Sequence, residues 1–466
     1  MRISRGLMVV LCACYFISTS AFAGDSVVAV PRPSGGDDTA ILQAALDDCM
    51  TNHPAGCTVQ LSTGTYMSRQ LFGEDFHGSL KGMGMDATII QALPLLEITA
   101  GPVGPGVYDV NPPSRTNKYP YLIIFAAGQI TVSDMTFRVT EYDPVAPWYS
   151  PEAGYVTNLE GFAGVIGTSA DLLIERVGFE GAPGSTWSGR NYEEGPFFLG
   201  LSGDQPLTGT FKVVSSRIRD AEINWHVWAV RNAQITIGGS PSHGNVVENG
   251  AIGGEYLDLD TSAFEYSYNN VDVSPWMGLF IWQGALFLPQ GPTQFLIQHN
   301  IFKVTGGYVY GIWAVDFGPP SGLGKTADFV IRDNTIWIAG SDVDPAAAGI
   351  DALFAVGAVI SSNRIRGENV LAGIAAEGSS ECMVLGNNVQ QLDALWAPVG
   401  LLTTDWGWGP MQSSYCTVVG GNNKTNVYDE GIGNVLVGVN NMQGNPPGPA
   451  IRDAMKRKME MVKFLR

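Results

Sequence analysis

A short hydrophobic pattern recurs along the second half of the chain, and each copy contains an asparagine. The copies are FLIQHNI at 295–301, FVIRDNTI at 329–336, AVISSNRI at 358–365 and CMVLGNNV at 382–389. An apolar, β-branched run, an Asn and a renewed apolar residue are typical of a strand, a bend and a second strand. Asn300, Asn334, Asn363 and Asn387 are separated by 34, 29 and 24 residues, so the pattern predicts one repeat with variable loops. We expect Asn to take the left-handed backbone conformation of the bend, which it tolerates.

A second hydrophobic pattern lies between these copies and begins with glycine. Its copies are GLFIWQ at 278–283, GIWAVD at 311–316, GIDALF at 349–354, GIAAEG at 373–378 and GLLTTD at 400–405. The two strand types alternate without a crossover helix, which excludes a doubly wound sheet and a barrel of βα units. Weaker copies at 130–137, 172–179 and 211–218 bring the total to about nine or ten turns.

The repeat predicts an all-β chain folded as a right-handed parallel β-helix, a solenoid in which each turn stacks on the one before. The alternative is an antiparallel sandwich of short strands, but sandwich turns have no reason to repeat the Asn register. Both ends are expected to be helical. Residues 36–48 (GDDTAILQAALDD) predict a capping helix, and 449–466 predict a short basic helix that covers the open sheet edge. A docking tail for an acidic partner is the alternative for this last segment.

The first 23 residues have the pattern of a secretory signal peptide. Arg2 and Arg5 precede an apolar stretch at 6–18, and Ala21-Phe22-Ala23 is typical of a cleavage site. A membrane anchor is the alternative, although the stretch is shorter than the roughly 20 residues that span a bilayer; a lipoprotein signal through Leu11-Cys12-Ala13-Cys14 is another. We therefore expect an extracellular or periplasmic protein with one β-helix domain at 24–448 and no transmembrane segment after cleavage.

The charge balance bears on the partners of the chain. There are 44 acidic and 26 basic residues, a net charge of −18, and loss of Arg2 and Arg5 would leave 24 basic residues and a charge of −20. Nucleic acid and anionic membranes reward clustered Lys and Arg, so neither is an expected partner. Such a surface also repels a polyanionic substrate unless cations bridge the two.

Four cysteines would remain after cleavage, and an exported protein uses such cysteines for disulfides. Cys49 and Cys57 flank a turn-rich loop between the predicted helix and a strand, so we expect them to pair. Cys382 and Cys416 open two matching segments and are expected to be neighbours on successive turns, whether or not they bond. No zinc-type CxxC spacing occurs after residue 23.

The N-terminal motifs resemble those of the pectate lyase superfamily domain, also found in rhamnogalacturonase- and epimerase-like proteins. GDDTAILQAALDD at 36–48, CTVQLSTGTY at 57–66 and LKGMGMDATII at 80–90 are similar to the family's opening helix, its following strand and its L-x-G-x-G-x-x-x-T-I-I segment. The resemblance implies the β-helix fold. It does not imply one reaction, because the family includes lyases, hydrolases, epimerases and noncatalytic proteins. The catalytic motifs of polygalacturonases and alginate epimerases are absent, so no catalytic residue is carried over.

Alternation along the glycine strands predicts which side chains face outward. The inward set is Leu279, Ile281, Ile312, Ala314, Ile350, Ala352, Ile374, Ala376 and Leu401. The outward set is Phe280, Trp282, Trp313, Val315, Asp351, Leu353, Ala375 and Glu377, with His226 and Trp228 added by extending the register to residues 224–230. Exposed aromatic rings bind sugar rings, so we expect Trp228, Phe280, Trp282 and Trp313 to line a glycan groove. The alternative is that loops cover them, since soluble proteins rarely expose large apolar patches.

Carboxylates on the same face are the candidate catalytic groups. Asp351 and Glu377 differ by one turn and two strand positions, which places their Cα atoms about 8 Å apart, from about 4.8 Å between strands and about 6.6 Å along one. That value lies in the roughly 6.5–9.5 Å range of carboxyl separations in inverting glycosidases. Asp316 and Asp405, at strand ends, are expected to complete an acidic cluster. Structural ion pairs or calcium ligands would give the same pattern.

These residues favour a secreted carbohydrate-active protein with a polysaccharide partner. A glycoside hydrolase, which needs no cofactor, is the first expectation, and a polysaccharide lyase is close behind it. A lyase would use His226 as the base with Arg231 nearby, and would rely on Ca²⁺ to neutralise the uronate. The alternative is a noncatalytic surface or glycan-binding module. The sequence does not specify the sugar, the linkage or the oligomeric state.

Overall fold

In the part of the chain that the structure describes, strand segments of successive turns pair side by side in parallel. The computed structural model describes residues 26–69, 71–93, 121–138, 161–181, 197–200, 207–221, 226–228, 230–284, 291–307, 309–318, 325–341, 344–404, 411–420 and 426–442. The predicted signal peptide (1–23) and C-terminal helix (449–466) lie outside these residues. Among the described residues no helix is long and apolar enough to cross a membrane.

Each turn of the coil contributes strand segments to three stacks, which we call sheets A, B and C. Sheet B holds the segments before the Asn bend: β1 (Val27–Ala29), β2 (Cys57–Gln60), β4 (Leu71–Lys81), β6 (Tyr121–Arg138), β7 (Gly161–Glu180), β9 (Thr210–Val214), β12 (Gln234–Gly238), β15 (Ala263–Ser267), β17 (Thr293–Gln298), β20 (Ala327–Arg332), β23 (Val359–Ser361), β25 (Met383–Leu385), β28 (Thr417–Val419) and β30 (Val435–Val437).

Sheet C holds the segments after the bend, and sheet A holds the glycine strands. Sheet C contains β3 (Gly64–Ser68), β5 (Thr88–Ala92), β10 (Arg217–Arg219), β13 (Val246–Ile252), β18 (Ile301–Thr305) and β21 (Thr335–Ala339), with parts of β6, β7 and of β16 (Asn270–Gln283), β24 (Arg364–Glu377) and β26 (Asn388–Thr404). Sheet A contains β8 (Phe197–Gly200), β11 (His226–Trp228), β14 (Glu255–Leu257), β19 (Tyr310–Asp316), β22 (Ala346–Leu353), β29 (Asn426–Asp429) and β31 (Asn440–Asn441), with parts of the long strands.

This arrangement confirms the parallel β-helix. One pairing is antiparallel, that of β26 with β27 (Met411–Gln412). The predicted number of turns is wrong, because sheet B runs without a break through all fourteen of its strands, from β1 to β30. The earliest turns lack the Asn that marks the repeat, so counting by the motif missed them.

The backbone of the bend differs from the expectation. The left-handed residue is the one before the Asn, namely Tyr268, His299, Asp333, Ser362 or Gly386, with φ between 52° and 60° in all five. The Asn itself does not have a positive φ at any of these bends. Its role is to turn its side chain into the coil, where the next Asn lies directly above it.

Six asparagines form a continuous ladder of side-chain amides along the coil. Asn245, Asn269, Asn300, Asn334, Asn363 and Asn387 are all buried. Each Nδ2 donates to the Oδ1 of the next Asn at 2.9 to 3.1 Å, and the main-chain N–H of each donates to the same oxygen. The second Nδ2 hydrogen reaches a main-chain carbonyl, as from Asn300 to Tyr266 at 2.8 Å. The ladder thus satisfies the polar groups of a bend buried inside the protein.

The N-terminal helix covers the first turns, as predicted. It is α1 (Thr39–Asn52), and it buries Leu42, Leu46 and Cys49. The Gln43 side chain both donates to the Phe72 carbonyl and accepts from the Phe72 N–H, each at 2.9 Å, so it pairs with the backbone of β4. A disulfide joins Cys49 of the helix to Cys57 of β2.

A second disulfide connects two neighbouring turns. Cys382 and Cys416 precede β25 and β28 and lie at matching positions, with their Cα atoms 4.5 Å apart. Both are buried in the core of the coil. The matching segments therefore become stacked neighbours, as the repeat predicts, and the two thiols are bonded.

The ladder gives the first prediction. Asn334→Ala leaves the Ile297 carbonyl and the Asn300 N–H without their partners, since both bond to the Asn334 amide. Because a buried polar group without a partner costs about 1–3 kcal/mol, we expect the free energy of unfolding to fall by about 3 kcal/mol or more. Urea unfolding followed by circular dichroism measures it. The control is Asn388→Ala, at an exposed position two turns further along the coil; an equal loss in both variants would contradict the ladder's role.

Candidate functional site

The candidate residues lie in two columns on the outer side of sheet A. Strand pairing places His226, Glu255, Phe280, Trp313, Asp351 and Ala375 in register on successive turns. Two residues further along the strands, a second column holds Trp228, Leu257, Trp282, Val315, Leu353 and Glu377. The predicted alignment of the outward set is therefore confirmed. The structure adds Glu255, a half-buried carboxylate between His226 and Phe280, which the motif search missed because GGEYLD lacks the usual apolar residue after glycine.

The inner and outer sides of sheet A belong to two separate hydrophobic clusters. The predicted inward residues all lie in the cluster that fills the coil. Phe280, Trp282, Trp313, Val315, Leu353 and Ala375 belong to the second cluster. Alternation along the strands was thus assigned correctly, and the outer side has a hydrophobic layer of its own.

The exposure predicted for the aromatic stripe is wrong. Trp313 is 1 % exposed, Phe280 is 3 % exposed and Trp282 is 8 % exposed. The alternative that the stripe is covered describes the structure. The physical reason is that aromatic side chains from the strands and from the strand ends pack on one another and remove their surface from water.

Six residues make up what we call the outer aromatic layer: Phe280, Trp282, Tyr310, Trp313, Phe317 and Phe354. Trp313 stacks on Tyr310 with ring centroids 4.7 Å apart and on Phe280 at 5.1 Å. Trp282 contacts Phe280 at 5.4 Å and Phe317 at 5.5 Å. The indole N–H groups of Trp282 and Trp313 are buried and have no hydrogen-bond acceptor in the described part of the chain.

Asp351 and Glu377 lie at the edge of this layer. Asp351 pairs in register with Trp313 on one side and Ala375 on the other, and Glu377 pairs with Leu353. The pair is therefore offset by one turn and two residues, as the sequence predicted. Both side chains are buried, Asp351 completely and Glu377 to all but 6 %. Fully buried carboxyl groups are rare in soluble proteins and need stabilising partners.

Asp316 has a different environment from the pair. It follows the last outward position of β19, at the level of Gln283, and accepts hydrogen bonds from the N–H groups of Gly318, Thr326 and Ala327 and from the Thr326 hydroxyl. Burial raises the pKa of the Asp316 carboxyl above its usual value of 3.8, although these four bonds oppose the shift. Gly318 lies just after β19, Thr326 lies just before β20 and Ala327 is the first residue of β20, so these bonds join the two ends of the connection. Asp316 therefore holds this connection together, and we do not carry it into the acid–base pair.

The remaining candidates differ in how far the structure describes them. Asp405 lies outside the described residues, and for His226 and Trp228 the backbone register is described but not the side chains. The Arg231 guanidinium, expected near His226, is paired with the buried Asp260 carboxylate. No group of three or more His, Cys, Asp or Glu side chains that could hold a metal ion occurs within the described ranges.

Comparisons with known proteins return distant structural similarities. No family model and no curated protein sequence matches the chain. The Azotobacter vinelandii mannuronan C-5 epimerase AlgE6 A-module is 15 % identical, with a TM-score of 0.38, over 87 % of this chain and 91 % of that one. The polygalacturonase from Erwinia carotovora ssp. carotovora is 12 % identical, with a TM-score of 0.36, over 90 % and 94 %. The Streptococcus pneumoniae surface protein and adhesin PfbA is 12 % identical, with a TM-score of 0.40, over 84 % and 100 %. At these values the similarities carry no argument about activity.

Burial changes what a substitution in the layer should do. Trp313→Ala removes a buried ring that stacks on Tyr310 and Phe280, and such truncations cost about 3–5 kcal/mol. We expect thermal unfolding to begin at a clearly lower temperature. Trp337→Ala is the matched control, because Trp337 is half-exposed on sheet C and should cost much less. An unchanged unfolding temperature for Trp313→Ala would mean that this layer does not form.

Asp316 gives a prediction about stability and pH. Its raised pKa means that the folded state keeps the proton to higher pH than the unfolded chain does. Its contribution to the free energy of unfolding therefore falls as the pH rises from 3.8 through the raised pKa. Asp316→Asn lacks this titration, so wild type should lose stability relative to the variant over that interval. Urea unfolding of both proteins across the pH range measures their free energies of unfolding. A wild-type stability that rises relative to that of Asp316→Asn over this interval would contradict the shift.

Proposed function

We propose that this chain is a secreted protein that acts on a polysaccharide, as a glycoside hydrolase with Asp351 and Glu377 as its acid and base. The observation that carries the proposal is their setting. Two buried carboxyl side chains, one turn and two residues apart, adjoin aromatic rings, and the Trp282 and Trp313 N–H groups have no described acceptor. Buried polar donors without partners are uncommon and are frequently used by function.

The spacing of the pair favours direct displacement by water. Ideal strand spacing puts the two Cα atoms about 8 Å apart, and carboxyl groups separated by roughly 6.5–9.5 Å would leave room for an attacking water. One carboxylic acid would donate its proton to the oxygen of the departing sugar, and the other carboxylate would take a proton from the attacking water. The configuration at the anomeric carbon would be inverted. Trp282 and Trp313 would donate hydrogen bonds to sugar hydroxyls.

The lyase alternative has less support. Elimination needs a cation to neutralise the uronate carboxylate next to the abstracted proton. Arg231, the cation expected near His226, is paired with Asp260, so elimination would rely on Ca²⁺ held by acidic side chains. We therefore rank hydrolysis ahead of elimination for this chain.

A noncatalytic glycan-binding protein is the second candidate, favoured by one specific observation. The rings of the outer aromatic layer pack on one another, and both carboxyl groups are covered. A polysaccharide can reach the pair only if this layer opens. If it stays closed, sheet A is structural and glycans bind elsewhere on the coil.

The test is a comparison of active-site variants. Asp351→Asn and Glu377→Gln should each lower the release of reducing ends from a panel of neutral and uronate polysaccharides by about 10²- to 10⁴-fold, since each removes one proton-transfer group. Glycan binding should persist, because proton transfer acts in the transition state. Glu248→Gln, an exposed substitution on sheet C, is the control.

Three other outcomes would each change the conclusion. Unsaturated products in place of new reducing ends would indicate a lyase. Binding without turnover by the wild type would favour the noncatalytic candidate. Normal turnover by both variants, on a confirmed substrate, would place the active site on another face of the coil. Circular dichroism of each variant shows whether the fold is intact.

A further inference from the structure

The outer side of sheet C carries a ladder of charged residues in register on successive turns. Its members are Arg138, Glu180, Arg219, Glu248, Asp272, Lys303, Trp337 and Arg366. Opposite charges are paired across adjoining strands at three places. Glu180 pairs with Arg138 at 2.7 Å and with Arg219 at 2.9 Å, and Lys303 pairs with Asp272 at 2.7 Å. Such cross-strand pairs favour the register of neighbouring turns, whereas Glu248 and Asp272 are two acidic residues in register.

Trp337 is the uncharged member of this ladder and stands between two cations. Lys303 precedes it by one turn and Arg366 follows it by one turn. In the adjoining column, Ile301, Thr335 and Arg364 occupy the same three turns. We call these six residues the Trp337 patch. It measures about 10 Å across the strands and about 7 Å along them.

The side chains of the patch are available to a ligand. Ile301 is 53 % exposed, Arg364 and Lys303 are exposed, and Trp337 and Arg366 are half-exposed. The structure shows no ring contact for Trp337 and no ion pair or hydrogen bond from the guanidinium groups of Arg364 and Arg366 to described residues. The arginines of the first turns of this sheet, by contrast, are paired with Glu180.

The local charge favours an anionic ligand. Of the two carboxylates next to the patch, Asp272 is paired with Lys303, and Glu368 lies two residues beyond Arg366 on the same strand. Two unpaired guanidinium groups beside an aromatic face are unusual on a chain whose net charge is −18.

We infer that the Trp337 patch binds a carboxylate-bearing sugar unit of a glycan. The apolar face of the sugar ring would lie on Trp337, and its carboxylate would accept hydrogen bonds from Arg366 or Arg364, whose planar guanidinium groups match carboxylate geometry. This rests on the proposed polysaccharide partner. The inferred binding surface lies on sheet C, distinct from the acid–base pair on sheet A. It predicts that the polysaccharide contains an acidic sugar.

Calorimetric titration of the full secreted chain with an oligogalacturonate of defined length tests the inference, with the methyl-esterified oligomer as the neutral match. We expect the acidic oligomer to bind more tightly than the ester. Trp337→Ala and Arg366→Gln should each weaken its binding about tenfold, because aromatic and arginine contacts dominate such surfaces. Trp337→Phe should restore most of the loss. Lys212→Gln, which removes one exposed positive charge from sheet B, is the control.

Several results would overturn the inference. Equal binding of the acid and the ester would exclude carboxylate recognition. Unchanged binding in both patch variants would place the glycan elsewhere, and equally tight binding of single-stranded DNA would mean general attraction of anions. If Trp337→Ala does not fold, Arg366→Gln alone decides the question.

The two proposals fail separately. Patch-dependent binding without cleavage of any glycan would uphold the sheet C surface and reject the hydrolase. The opposite result is cleavage that depends on Asp351, with neither binding nor turnover of the acidic oligomer changed by Trp337→Ala or Arg366→Gln. It would uphold the hydrolase and reject the sheet C surface.

Discussion

The side-chain amide bonds between successive bends are the interaction on which the rest of the structure depends. Each interior asparagine of the ladder accepts two hydrogen bonds through one oxygen and donates to both the next asparagine and a carbonyl, so its amide is fully used. A slip of one residue on any turn would break these bonds and turn the inward face of the strand outward. Because the network is buried, an incomplete amide would be costly. At five of the six asparagines, the left-handed residue before the Asn gives the chain the sharp change of direction that brings the amide inward.

Strict register has consequences on both outer faces. On sheet A it places aromatic residues of neighbouring turns one above another, so that Phe280 and Trp313 stack without any loop having to position them. On sheet C it places charged residues of neighbouring turns one above another, and several of them form ion pairs across the strands. Trp337 is the uncharged residue in this column. The same backbone rule produces a hydrophobic layer on one face and an ion-pair ladder on another.

The two candidate regions differ in their electrostatic setting. Asp351 and Glu377 are buried beside aromatic rings, where hydrogen bonds are electrostatically stronger than they are in water. The Trp337 patch remains in contact with water, where charged contacts contribute less and salt screens them. The buried pair on sheet A is thus better suited to catalysis, and the Trp337 patch on sheet C is better suited to recognition of a charged group on a ligand. Asp316 belongs to neither function, since its four hydrogen bonds hold a connection between two strands.

The sequence by itself determined the strands, their parallel stacking and the alignment of His226, Phe280, Trp313 and Asp351, because alternation and repeat length are local properties of the chain. It also determined the offset between Asp351 and Glu377. Only the tertiary structure decided that the aromatic stripe is buried, that Asp316 bonds to Thr326 and that Cys382 bonds to Cys416. The number of turns was likewise hidden, since the early strands lack the asparagine. Burial depends on which distant groups pack over a face, and a residue's own neighbours in sequence carry no record of that packing.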